Sequence, residues 1–90
     1  MRLDKFLKAA RLIKRRSLAQ EMIANDAVRV NDRPCKASYN VKPGDVVSVA
    51  FPRHLLRVRI LIVDEALLKR GGQCYEVLGE RVVDPDEVPW

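Results

Sequence analysis

The chain has 90 residues, 48% apolar and 32% charged, with only four glycines and five prolines. That composition suits one folded domain and excludes a collagen-like, low-complexity or mostly disordered chain. No apolar run approaches the roughly 20 residues that span a bilayer and charge begins at Arg2, so neither a membrane helix nor a secretory signal is expected, and the expected location is cytoplasmic.

The net charge of +5 is unevenly spread: residues 1–60 hold 14 Lys and Arg against 5 Asp and Glu, and residues 61–90 hold 3 against 7. The balances are +9 and −4, so a polyanionic partner is indicated for one end of the molecule only.

Leu3, Phe6, Leu7 and Ala10 recur at the spacing of an amphipathic helix, with Arg2, Lys5 and Lys8 on the opposite side. A second helix is predicted from about Ser17 to Asn25, opened by a capping box of Ser17 and Gln20. Arg11 to Arg16 then form a short corner that carries Arg15 and Arg16 to the start of the second helix, where backbone amides already favour anions. Asn25 and Asp26 tolerate left-handed geometry and stop that helix.

Val28 to Val30 read as a short strand ended by the Asn31-Asp32 turn, with a loop through Pro34 and Tyr39 after it. Lys42-Pro43-Gly44-Asp45 is a turn feeding a strand from Val46 to Phe51, which Pro52 breaks. Leu56 to Val63 alternate as a strand with Arg57 and Arg59 outward. Asp64 caps a helical turn ending at Lys69 and Arg70 with Gly71 beyond it, and Gln73 to Leu78 form a last strand that pairs back along 56–63. The acidic stretch from Asp84 to Trp90 reads as a loose tail, in which Trp90 is left open between docking and exposure.

A catalytic site needs a nucleophile beside a base, paired carboxylates in a pocket or a metal cluster. None is visible: His54 is the sole histidine and falls beside Pro52 and Arg53, while Cys35 and Cys74 have neither a disulfide framework nor a zinc spacing. No enzymatic activity, metal or cofactor is expected, and the carboxylates of the last third read as a solvated surface. The cations are different, because the face of helix one, the Arg11–Arg16 corner and Lys36 all converge if the helices pack on the sheet. Arginine outnumbers lysine eleven to six, which suits bidentate phosphate recognition. RNA is favoured over DNA because no helix has the Arg, Asn and Gln spacing of a major-groove reader.

Arg2-Leu3-Asp4-Lys5-Phe6-Leu7, Arg16-Ser17-Leu18-Ala19, Val28-Arg29-Val30-Asn31, Lys36-Ala37-Ser38 and Val41-Lys42-Pro43-Gly44-Asp45 together resemble an S4-type RNA-binding domain over about residues 1–63. The resemblance implies an α+β, S4-type (alpha-L) fold: two N-terminal helices packed on a small antiparallel sheet, with a short C-terminal extension. It divides the chain into the S4-type domain at 1–63, a helical turn and final strand at 64–79, and an acidic tail at 80–90.

Within that family the sequence is most similar to the bacterial ribosome-quality-control branch. This implies a monomeric, non-enzymatic factor that binds 23S rRNA and peptidyl-tRNA on the obstructed large ribosomal subunit and supports alanine tailing by the factor RqcH. The alternatives are the heat-shock S4 branch, which acts on large subunits with trapped nascent chain-tRNA, and a protein-interaction adaptor that uses the acidic tail. By resemblance, Arg2, Lys5, Arg11, Arg15, Arg16, Ser17, Asn31 and Lys36 face the RNA, while Asp4 is structural and placed to pair with Lys8. The chain departs from the family pattern at Asp32, where glycine is usual, and at Lys14 and Arg15, where a Ser or Thr cap is common.

Overall fold

Two short helices lie on one face of an antiparallel sheet, and a third closes one end of the first. The computed structural model describes residues 1–69, 73–84, 86–87 and 90. Its elements are α1 (Leu3–Ala9), α2 (Arg16–Ala24), β1 (Val28–Val30), β2 (Arg33–Pro34), β3 (Val46–Ala50), β4 (His54–Ile60), α3 (Glu65–Lys69) and β5 (Tyr75–Val82). The strands run in the order β2-β1-β3-β4-β5, each antiparallel to its neighbour. This is the expected α+β architecture of two helices on an antiparallel sheet.

The core forms where the two periodicities meet. Leu3, Phe6 and Leu7 of α1 and Ala19 and Ile23 of α2 pack on Val28, Val30, Val47, Val49, Val58 and Ile60 from alternate strand positions. Complete burial of each of the three large α1 side chains contributes roughly 1.5–3 kcal/mol. The N-terminus is tied in by backbone bonds from Leu3 N–H to the Tyr39 carbonyl at 2.8 Å and from Val41 N–H to the Met1 carbonyl at 2.9 Å. α1 therefore starts from a fixed point.

The turns behave as their residues dictate. Asp26 takes φ +57 after α2, and the Asp26 and Ala27 amides bond back to the Ile23 and Met22 carbonyls, a Schellman stop. Gly44, at φ +93, lets the Asp45 amide reach the Lys42 carbonyl at 3.1 Å. Asp64 caps α3 as expected, its Oδ1 accepting from the Ala66 and Leu67 amides. Arg70 and Gly71, expected to end that turn, lie outside the described residues.

Four expectations are corrected. Asn31 and Asp32 both have positive φ, so they form a two-residue type I′ hairpin that pairs β1 with β2 where a loop was read. Pro34 masks β2 in the sequence but is tolerated there because β2 is an edge strand. β4 runs from His54 to Ile60 rather than from Leu56 to Val63. β5 spans Tyr75–Val82, continuing past Leu78 because a register shift opposite Arg57 and Val58 absorbs one residue and leaves Gly79 paired with Arg57.

The last correction concerns the tail. Residues 80–82 are strand, Val83 is buried and bonded to the Arg53 carbonyl at 2.9 Å, and Trp90 is docked, its indole N–H donating to the Asp26 carbonyl at 3.1 Å. Among the described residues no helix is long and apolar enough to cross a membrane, and no group of three His, Cys, Asp or Glu stands close enough to hold a metal ion.

Candidate nucleic-acid interface

The cationic corner is built around one buried carboxylate. Asp4 is fully buried on α1. It accepts from Arg2 Nε at 3.2 Å, Arg16 Nε at 3.1 Å, Gln20 Nε2 at 2.8 Å and the Lys5 amide at 2.8 Å. Burial pushes its carboxyl up, but the Gln20, Arg16 and Lys5 hydrogen bonds and the Arg16 charge outweigh that and hold it below the usual carboxylate range. One negative charge thus fixes two guanidinium groups side by side. Each also turns Nη2 toward Asp4, so Nη1 of both has no partner among the described residues.

This geometry corrects two readings. Asp4 pairs with Arg2 and Arg16, not with Lys8 one turn on, because the second helix brings a stronger donor to its inner side. The capping box is not formed: α2 starts at Arg16, its cap residue is Arg15, no side chain caps it, and Gln20 spends its amide on Asp4. Ser17 is exposed in the first turn of α2. The uncapped amides of that turn add positive partial charge beside the arginines.

The corner between the helices is a strained turn held by backbone hydrogen bonds. Arg11 has φ +62, a left-handed position that costs a side-chain-bearing residue roughly 1–2 kcal/mol. It is fixed by the Arg11 amide on the Lys8 carbonyl and the Leu12 and Ile13 amides on the Leu7 carbonyl, all near 3.0 Å, while Ile13 is buried. The turn delivers Arg11 into a groove of about 390 Å³ lined by Lys5, Lys8, Ala9, Arg11, Arg16 and Leu68. Lys5 there meets Glu65 of α3 at 2.8 Å. Among the described residues, Lys8, Arg11, Lys14 and Arg15 have no carboxylate partner.

The expected site residues therefore separate. Lys5, Arg11 and Arg16 share the groove, Arg2 joins them through Asp4, and Arg15 and Ser17 flank them at the start of α2. Lys36 borders the same end of α1, one residue before the Ala37 carbonyl that accepts the Asp4 amide at 3.3 Å. Asn31 stands elsewhere: its Oδ1 accepts the Val46 amide at 2.9 Å and its Nδ2 donates to buried Asp45 at 3.2 Å, so the side chain ties the hairpin to β3. Lys8 and Lys14 complete the unpaired set. Gln20 was missed as the third ligand of Asp4, although its position one turn after Arg16 on α2 was legible.

No catalytic constellation accompanies this surface among the described residues. His54 stacks on Phe51 with ring centroids 4.5 Å apart. Cys35 and Cys74 are free thiols, half-buried and buried, and burial pushes both up from the usual thiol range.

Comparisons with known proteins agree with this architecture. The S4 domain model matches residues 1–47. Two relatives called RQC P-site tRNA stabilizing factor are 42% identical to the chain: that of Bacillus subtilis over 81 residues, 89% of this chain and 94% of its own, and that of Halalkalibacterium halodurans over 88 residues, 97% and 100%. The trimeric structure of Vibrio cholerae Heat Shock Protein 15 superposes with a TM-score of 0.74 and 28% identity, covering 86% of this chain and 80% of that one. The Asp4-centred corner and these matches over nearly the whole length lead to one assignment: the chain is a member of the S4 domain family, in the branch of the RQC P-site tRNA stabilizing factors.

Proposed function

We propose that the chain is a non-enzymatic RNA-binding factor that acts on the large ribosomal subunit during ribosome-associated quality control. The helical corner grips phosphates of tRNA and 23S rRNA through Arg2, Lys5, Arg11, Arg15 and Arg16, with Lys8, Lys14, Ser17 and Lys36 at its border. Asn31 serves as a positioning residue for the hairpin. The observation that carries this reading is the arginine pair on buried Asp4 beside a groove with four cations. Guanidinium forks held in place lose little freedom on meeting phosphate, which is why a pre-set pair binds better than two free side chains.

The names of the relatives support P-site tRNA as the ligand and quality control as the setting. In this reading the monomeric factor steadies peptidyl-tRNA while RqcH adds alanine, in the cytoplasm. Residues 1–63 carry the RNA surface, and the helical turn and strand of 64–79 buttress it through α3. The heat-shock role is the second reading, favoured by the Vibrio cholerae structure but at lower identity than the tRNA-stabilizing relatives. The adaptor reading is left without an observation to favour it, since Trp90 is engaged within the chain.

Sedimentation tests the proposal. The protein should travel with large subunits carrying peptidyl-tRNA at low salt, lose that association steeply as salt rises, and lose it at low salt on Arg16→Ala in a variant shown to be folded. A protein that stays at the top of the gradient at low salt contradicts the proposal.

A further inference from the structure

The face of the sheet turned away from the helices carries a second set of arginines that the function above does not use. The strand register places Arg29, Ser48 and Arg57 in one row, Val46, Arg59 and Glu76 in the next, and Ala50, Leu55 and Arg81 in a third. Each arginine meets one carboxylate: Arg29 and Asp26 at 2.8 Å, Arg57 and Asp32 at 3.3 Å, Arg59 and Glu76 at 2.6 Å, Arg81 and Glu87 at 3.1 Å.

Two of these arginines are held by the segment that follows β5. Glu87 takes Arg81 on β5, and Trp90 lies under the Arg29 guanidinium on β1, 4.9 Å from its ring centroid, while donating to the Asp26 carbonyl. The two strands are separated by β3 and β4, so Glu87 and Trp90 engage opposite sides of the face. Trp90 is the only tryptophan in the chain, and a face made merely for solubility has no need to cover an arginine with it.

We propose that this sheet face is a second phosphate-contacting surface for RNA, formed by Arg29, Arg57, Arg59 and Arg81, two of which, Arg29 and Arg81, are held in the free protein by Trp90 and Glu87. The proposal extends the RNA-binding reading of the helical corner without depending on the same residues. Exposed ion pairs contribute little because solvent screens them, and RNA offers each arginine a phosphate together with counterion release. What keeps the face shut is the tether, which presents Glu87 and Trp90 at high local concentration. A free RNA hairpin therefore meets the helical corner alone. A particle presenting RNA on both sides of the protein supplies the concentration that displaces the segment.

The test uses the full chain and an RNA hairpin. The double variant Trp90→Ala/Glu87→Gln should bind the hairpin about tenfold more tightly at low salt, and its log–log salt dependence should steepen by about 1.4, two arginines at about 0.7 each. Adding Arg29→Ala/Arg81→Ala, the two arginines that Trp90 and Glu87 hold, to that variant should cancel the gain. An unchanged affinity and slope in the double variant overturns the proposal, as does a gain toward polyglutamate with none toward RNA. Arg11→Ala/Arg15→Ala reads the helical corner separately: if it is silent while the double variant still gains, the corner reading fails and this one stands.

Discussion

The helical corner and the open face of the sheet carry arginines of nearly equal exposure, yet one keeps a surplus of positive charge and the other is neutralised pair by pair. The side chains of Arg2 and Arg16 are 48% and 42% exposed, and those of Arg57 and Arg59 are 46% and 48% exposed. Exposure therefore does not distinguish them. On the open face Arg29, Arg57, Arg59 and Arg81 each have their own exposed carboxylate, whereas at the corner two arginines share one buried carboxylate and four further cations have none among the described residues. A buried anion shared by two cations positions them and leaves positive charge to spare. An exposed anion for each cation cancels the charge.

The largest effect should come from reversing charge where none is cancelled. Arg11→Glu/Arg15→Glu is expected to weaken RNA binding by about 100-fold at moderate salt, roughly 1.4 kcal/mol per residue, as read by titration with a labelled hairpin. If the two reversals are silent, the contrast between the regions has no functional meaning.

A smaller effect is expected at the shared anion. Asp4→Asn removes a charged acceptor of several hydrogen bonds and should cost about 2 kcal/mol in urea unfolding at neutral pH. The pH dependence has a definite sign. Because the folded state holds the Asp4 carboxyl below its ordinary value, the unfolded chain binds the proton more readily. Its contribution is full above about pH 4 and is lost as pH falls through the lower folded value. The gap between wild type and Asp4→Asn should accordingly narrow in acid, and a gap that is constant with pH would show that Asp4 acts by shape alone.

Much of this molecule was legible in its residues. Both helices, the Pro43-Gly44 turn and the alternating valines of the strands follow from local spacing and turn chemistry, and so does the concentration of cations at one end. What escaped were the features set by contacts distant in sequence. The Gln20 amide serves Asp4 sixteen residues away, so the local capping pattern lost to a buried charge that needed donors. β2 and the far half of β5 were hidden by Pro34 and Gly79, which read as breakers but sit at an edge and beside a register shift. Asn31 matched the family's binding pattern, yet its amide is committed to Asp45 and Val46, and nothing in a linear reading reveals that.

The comparison rests most directly on the salt dependence of hairpin binding, measured for the wild type, Lys8→Ala/Arg11→Ala and Arg57→Ala/Arg59→Ala under identical conditions. The corner variant should flatten the slope by about 0.7 for each cation removed, while the sheet variant, with Glu87 and Trp90 in place, should leave it unchanged. Equal flattening by the two variants, or flattening by the sheet variant alone, would contradict it.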